Sequence, residues 1–187
     1  MYNATAVRAS ESNIIDSRVD SRAGKYLTFF LSGEEYGVEI LKVQEIIGRM
    51  PITPVPLISR DILGVINLRG KIHPIMDLNV KFGMDRTQIT DETCIIIIKT
   101  SSLMMGILVD KVSEVINMAS GDIEDTPSFG ADVDTEYLLG VGKTGGRICL
   151  LLDIEKVITA SDIINMKKAA DGSKPGPKDE TNQIQTN

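Results

Sequence analysis

Between Tyr26 and Leu152 the chain alternates short apolar runs with turn-forming residues. The runs are Tyr26–Leu31, Tyr36–Ile40, Gly64–Leu68, Ile72–Leu78, Cys94–Ile98, Met105–Val109 and Ile148–Leu152, dominated by Ile, Val, Leu and aromatics. Ser32-Gly33, Arg69-Gly70, Ser101-Ser102 and Gly145-Gly146 punctuate them. Short runs separated this way predict β-strands joined by tight hairpins. The intervals are too short for crossover helices, which argues against a parallel α/β sheet. Helical turns are predicted at Leu41–Ile47, Val80–Gly83 and Asp110–Ile116, and a last helix within Asp153–Lys168. Residues 1–24 and 167–187 are polar and aperiodic. They read as flexible tails, which bury too little surface to offset the entropy of ordering.

The pattern repeats. LGVINLRGKIHPIMDLNVKF from Leu63 aligns without a gap on LGVGKTGGRICLLLDIEKVI from Leu139. Tyr26–Ile47 likewise aligns on Ile95–Ile116, with Gly37 on Gly106 and KVQEII on KVSEVI. The order is A-B then A-B, so each copy supplies two hairpins and a short helix, enough for a small closed barrel. Closure removes exposed strand edges. The residues alone therefore predict two similar β-barrels packed together, with a groove where they meet.

Composition narrows the function. The chain has 187 residues, 42% of them hydrophobic, and a formal net charge of −6. An acidic chain with no basic block is poorly matched to nucleic acid or anionic membrane. Aromatics are 4% and Trp is absent, so base-stacking platforms are not indicated. There is no apolar signal core and no run approaching a membrane span, so the chain reads as soluble and intracellular. Cys94 and Cys149 sit inside apolar runs and read as buried free thiols.

Candidate chemistry is sparse. His73 is the only histidine, so a zinc site lacks ligands. Its repeat counterpart is Cys149, an apolar-like position, which favours packing. The carboxylates cluster in predicted loops and read as solvated surface charge. Asp77 and Asp153 end equivalent strands and read as turn or helix-cap devices. Gly142, Gly145 and Gly146 precede an apolar strand rather than a helix, so they are hairpin chemistry, not a phosphate loop. Met104 and Met105 read as core filling, with adaptable contact surface as the other reading. Gly37/Gly106, Glu45/Glu114 and Asp77/Asp153 occur in both copies and lean structural. Arg69 faces Gly145 in the alignment, so it is unshared. Its planar five-donor cation suits a partner's carboxylate or carbonyls, or Glu45 nearby.

At EEYGVEILKVQEII (Glu34–Ile47) and GVINLRGKIHPIMDL (Gly64–Leu78) the chain resembles CheW-type proteins, the coupling adaptors of bacterial chemotaxis. ITPVP (Ile52–Pro56), KFGM (Lys81–Met84), LVDKVSEV (Leu108–Val115) and TEYLLGVG (Thr135–Gly142) extend the resemblance from about Tyr26 to Ile163. It implies a mostly β domain over 25–166, made of two intertwined SH3-like five-stranded barrels with short helices and a C-terminal helix. It implies no catalysis and no cofactor. The implied role is a cytoplasmic scaffold, monomeric outside arrays, that joins the tips of methyl-accepting chemoreceptors to the regulatory domain of the histidine kinase CheA. Carried over to matching positions, the receptor surface includes Val43, Glu45, Ile46, Gly64, Arg69 and Gly106. A helical hairpin would lie there in an apolar groove with a polar anchor. The kinase surface includes Ile123 and Phe129, from the I-x-x-x-P-x-F pattern of Ile123–Phe129. Two departures are Asn79, where the family pattern ends Asp-Leu-Arg, and Glu124, where relatives carry a basic residue. An adaptor of a non-flagellar pathway such as pilus motility is the alternative within the family. A small hydrolase using loop carboxylates is the alternative outside it.

Overall fold

The computed structural model describes residues 21–56, 58–126 and 135–172. Eleven strands form: β1 (Gly24–Leu31), β2 (Glu34–Glu39), β3 (Val43–Gly48), β4 (Ile62–Leu68), β5 (Lys71–Asp77), β6 (Cys94–Lys99), β7 (Met104–Val109), β8 (Lys111–Met118), β9 (Ile123–Glu124), β10 (Leu138–Thr144) and β11 (Arg147–Leu152). Three helices accompany them: α1 (Leu78–Lys81), α2 (Ile154–Val157) and α3 (Ala160–Gly172). Three hairpins turn on two-residue loops with positive φ, Ser32-Gly33, Arg69-Gly70 and Gly145-Gly146. That geometry matches the right-handed twist of the flanking strands.

The strands make two mixed sheets, ordered β3-β6-β7-β5-β4 and β8-β1-β2-β11-β10-β9. We call them the first and second barrel. The two copies do not form one barrel each, as the residues alone suggested. Hairpin β1–β2 of the first copy completes the second barrel, and hairpin β6–β7 of the second copy completes the first. The exchange is made by two parallel pairings, β2 with β11 and β5 with β7. The barrels are therefore intertwined, as the family resemblance implied.

Closure follows one recipe twice. Beyond β3 the chain returns to β4, where Thr53 and Val65 exchange backbone hydrogen bonds of 2.8 and 2.9 Å. Beyond β8, strand β9 pairs with β10 through Glu124 and Val141. Both closures need a glycine. A Cβ on Gly64, whose φ is +142°, would lie 2.1 Å from the Thr53 carbonyl oxygen. One on its twin Gly140 would lie 2.7 Å from the Glu124 oxygen.

Strand alternation divides the apolar residues among three cores. Ile66, Ile75, Ile95, Ile97 and Leu108 fill the first barrel. Tyr26, Ile116, Met118, Ile123, Cys149 and Leu151 fill the second. The opposite faces of the same strands, including Leu27, Phe29, Met76, Ile96, Ile98, Ile107 and Leu152, meet between the barrels. Phe82, just after α1, stacks between Tyr36 and Tyr137, with ring centroids 5.8 and 5.1 Å apart. The run CIIII thus reads as continuous because β6 is buried on both faces.

Two expected helical turns are strands instead. Leu41–Ile47 becomes a one-turn 3-10 segment, Ile40–Lys42, followed by β3, and Asp110–Ile116 lies largely in β8. KVQEII and KVSEVI suit either period, but β-branched residues with one half-buried face pair readily with a neighbouring strand. The helix predicted near Val80–Gly83 forms slightly earlier, over Leu78–Lys81. Order also reaches past the predicted domain ends. The Arg22 side chain donates to the Leu139 carbonyl at 2.9 Å, and α3 runs to Gly172 with Ala169 fully buried.

Candidate protein-interaction site

The β4–β5 turn sets the first feature. Asn67 Oδ1 accepts from the Gly70 amide at 2.8 Å and holds the turn. Arg69 occupies the left-handed region at φ +52°, unusual for a residue with a Cβ. Its guanidinium reaches Glu45 on β3 through two parallel bonds, Nη1–Oε1 at 3.2 Å and Nη2–Oε2 at 2.9 Å. The Glu45 side chain is 28% exposed and Arg69 78%. The half-buried carboxylate therefore orients a cation that projects into solvent. A cleft of about 490 Å3 opens beside the pair, bounded also by Leu68, Lys71, His73 and Met104.

Apolar surface flanks it on β3. Val43 is half-buried against the inter-barrel core, while Ile46 is 46% exposed. Their repeat twins behave alike: Val112 packs on that same core and Val115 is 51% exposed. Leu41 is 89% exposed just before β3. Sequence reasoning missed Leu41, Val112 and Val115. The duplication carried the signal for the two valines, since KVSEV is the twin of KVQEI. Val43, Glu45 and Ile46 share β3, which Arg69 reaches through Glu45, but the register sets Val43 and Ile46 opposite Ile98 and Ile96 of the inter-barrel core and Glu45 opposite Ile97 of the first-barrel core.

The other predicted site residues lie elsewhere. Gly64 is buried at the barrel closure described above. Gly106 is buried inside the first barrel, where a Cβ would meet Ile75 and Ile95 side-chain carbons at 2.5 and 2.7 Å. Neither offers a side chain to a partner, and each sets the shape that the surface residues stand on. Ile123 is buried in the core of the second barrel. Phe129 lies outside the described residues.

Arg69 is unshared as a position but not as an arrangement. In the second barrel Arg147, two residues beyond the glycine aligned with Arg69, donates to Glu114 at 2.5 Å. Glu114 is the twin of Glu45. Arg147 also reaches Glu35 at 3.4 Å. Each barrel therefore ties its β-hairpin to its edge strand by an Arg–Glu pair.

A second set of twinned contacts holds the barrels to each other. Asp77 and Asp153 cap α1 and α2, accepting from the Asn79 and Glu155 amides. Glu155 then accepts from Lys42 Nζ at 2.8 Å and from Ser101. The Lys42 hydrogen bond holds the Glu155 carboxyl below its ordinary range. At the equivalent place Asn79 donates to Asp110 at 2.9 Å and accepts from Ser32 at 3.0 Å. Asn79, the departure from the family pattern, is 1% exposed.

Among the described residues His73 and the two cysteines lie apart. His73 sits on β5 of the first sheet, with Nδ1 3.5 Å from the Met104 carbonyl. Cys149 lies in the core of the second barrel, where burial pushes its thiol up to about 12. Burial also raises Cys94, and both cysteines are free. Among the described residues no group of three or more His, Cys, Asp or Glu could hold a metal. Nor is any helix long and apolar enough to cross a membrane.

The fold is thus a pair of intertwined barrels with an oriented cation, exposed valine and isoleucine and an open cleft at the surface. The model of the CheW-like domain matches residues 25–162, and the chain belongs to that family. It is 40% identical over 139 residues to the chemotaxis protein CheW of Klebsiella aerogenes, spanning 74% of this chain and 84% of that one. It is 33% identical to CheW of Rhizobium meliloti, spanning 76% and 97%. The solved scaffolding protein TtCheW from Thermoanaerobacter tengcongensis superposes with a TM-score of 0.68 at 31% identity, covering 75% of this chain and 95% of that one.

Proposed function

We propose that this chain is a non-catalytic adaptor that couples methyl-accepting chemoreceptor tips to the histidine kinase CheA in the cytoplasm, recruited to membrane-associated receptor arrays. The observation that carries the reading is Arg69 held by Glu45 of β3, the strand that also bears half-buried Val43 and exposed Ile46. A helical hairpin offers an apolar stripe flanked by polar residues, and this surface offers the complement. Gly64 and Gly106 act by keeping the barrel wall close-packed beneath it. The kinase is taken by the second barrel, on the segment from Ile123 to Phe129. Ile123 is buried in β9, and Phe129 is the aromatic contact.

Co-sedimentation with receptor signalling fragments and CheA, scored by kinase activity, tests the reading. Arg69→Glu places two carboxylates face to face at the surface and should cut receptor co-sedimentation about tenfold with little change in melting temperature. Phe129→Ala should weaken CheA alone. Wild-type receptor binding by folded Arg69→Glu protein would refute the receptor assignment.

A further inference from the structure

The family model ends at residue 162, but α3 continues ten residues beyond it to Gly172. This extension is seated. Thr159 and Asp162 cap the helix reciprocally, the Thr159 amide donating to Asp162 at 2.8 Å and the Asp162 amide to the Thr159 hydroxyl at 3.2 Å. Lys81, the last residue of α1, donates to Asp162 at 2.5 Å. Met166 and Ala169 are fully buried, and α3 packs on β4 and β5 of the first barrel.

The seating is incomplete at the distal end. A notch of about 140 Å3 there is lined, apart from Lys167, by apolar residues: Ile72, Pro74, Leu103, Met104, Met166 and Ala170. Met104 is 37% exposed and also bounds the Arg69–Glu45 cleft, so the two openings adjoin across one side chain. Methionine is the side chain best able to adapt to what enters either of them.

The notch also breaks the pseudo-symmetry. The twins of Ile72, Pro74, Leu103 and Met104 in the second barrel are Ile148, Leu150, Glu34 and Glu35. Among the described residues no helix covers that face, and Ile148 is 62% exposed. Because each barrel carries its own Arg–Glu pair and its own half-buried valine, those features alone do not fix which barrel meets which end of a helical hairpin. A wall present on one barrel only removes that degeneracy, because one direction fills the notch and the other leaves it empty.

From this we infer that the distal half of α3 is part of the partner surface, and that its notch takes an apolar side chain of the same receptor helix that Arg69 anchors. The inference rests on the receptor reading above. It makes α3 the element that selects the direction in which the hairpin lies.

The test plugs the notch. Ala170 is half-buried on the helix, so Ala170→Phe fills the space from the chain's own side, and Ala170→Gln puts a polar chain there with good helix propensity. Titration of a labelled receptor-tip fragment should show about fivefold weaker binding for both variants, with melting curves close to the parent. If Ala170→Phe fails to fold, Ala170→Gln decides. Parental binding by a folded Ala170 variant, while Arg69→Glu is weakened, overturns the notch and leaves the receptor reading standing. Parental binding by Arg69→Glu as well overturns both.

Discussion

The two barrels share a skeleton and differ in chemistry. Each closes on a glycine, caps its first helix with aspartate and ties a hairpin to an edge strand by an Arg–Glu pair. The contacts around the caps diverge. Glu155 forms a charged latch with Lys42 and Ser101, while Asn79 forms an uncharged bridge from Asp110 to Ser32. Lys111, the twin of Lys42, instead lies over the Phe30 ring at 4.9 Å. The backbone geometry is what duplication preserved, because each close approach tolerates one residue type. Side chains at the seam were free to diverge, so differences between twins are the better guide to function.

The glycine closures should give the largest effect. Gly64 combines a left-handed φ of +142° with a 2.1 Å approach to backbone, whereas Gly140 has the approach alone, at 2.7 Å. Gly64→Ala should cost about 3–5 kcal/mol and Gly140→Ala about 1–3 kcal/mol, because a backbone atom cannot yield as a side chain can. Urea unfolding of both variants measures the difference. Equal losses would mean that the closures have the same slack and that the twins are closer than their geometry indicates.

The aspartate caps come next. Asp77 is fully buried and accepts from the Thr87 amide at 3.1 Å, the Thr87 hydroxyl at 2.8 Å and the Asn79 amide at 3.1 Å. The Asp153 side chain is 22% exposed, accepts from the Glu155 amide at 3.2 Å and lies 3.7 Å from Lys156 Nζ. Asp77→Ala strands buried donors and should cost about 2–4 kcal/mol. Asp153→Ala removes a cap and should cost about 1 kcal/mol. Guanidinium denaturation compares them, and a larger loss at Asp153 would show that the Thr87 loop contributes little to holding α1.

Much of this was legible in the residues. The strands were readable because short β-branched runs end at Ser-Gly, Arg-Gly and Gly-Gly, and the twin glycines were readable from the repeat. Membership of each barrel was not. Nothing in a gapless repeat records that hairpins β1–β2 and β6–β7 trade places, since an exchanged hairpin keeps every local contact and changes only its non-local partner. Leu41–Ile47 misled because half-buried edge strands carry apolar residues at spacings a helix also allows. The Glu45–Arg69 pair was readable only as one of several partners open to an unshared arginine, since Glu45 was expected in a helical turn and lies in β3. Arg147 was not, because its pair forms two positions away from the aligned one.

Arg69 offers the smallest stability effect and the sharpest functional one. A residue with a Cβ at φ +52° costs about 1–2 kcal/mol relative to glycine, and the second barrel uses Gly145 at the aligned position. The ion pair returns little, since an Arg side chain 78% exposed is in a screened contact worth about 0–1 kcal/mol. Glycine also gives the unfolded chain more freedom, which offsets part of the relieved strain. Arg69→Gly should therefore leave stability within about 1 kcal/mol of the parent, while receptor co-sedimentation falls as far as it does for Arg69→Glu. That outcome would mean that the β4–β5 turn carries backbone strain which its twin, the β10–β11 turn, avoids, in exchange for a cation at the partner surface. A fall in melting temperature that tracks the loss of binding would instead make the Arg69–Glu45 pair part of the barrel's own construction, equivalent in role to Arg147–Glu114.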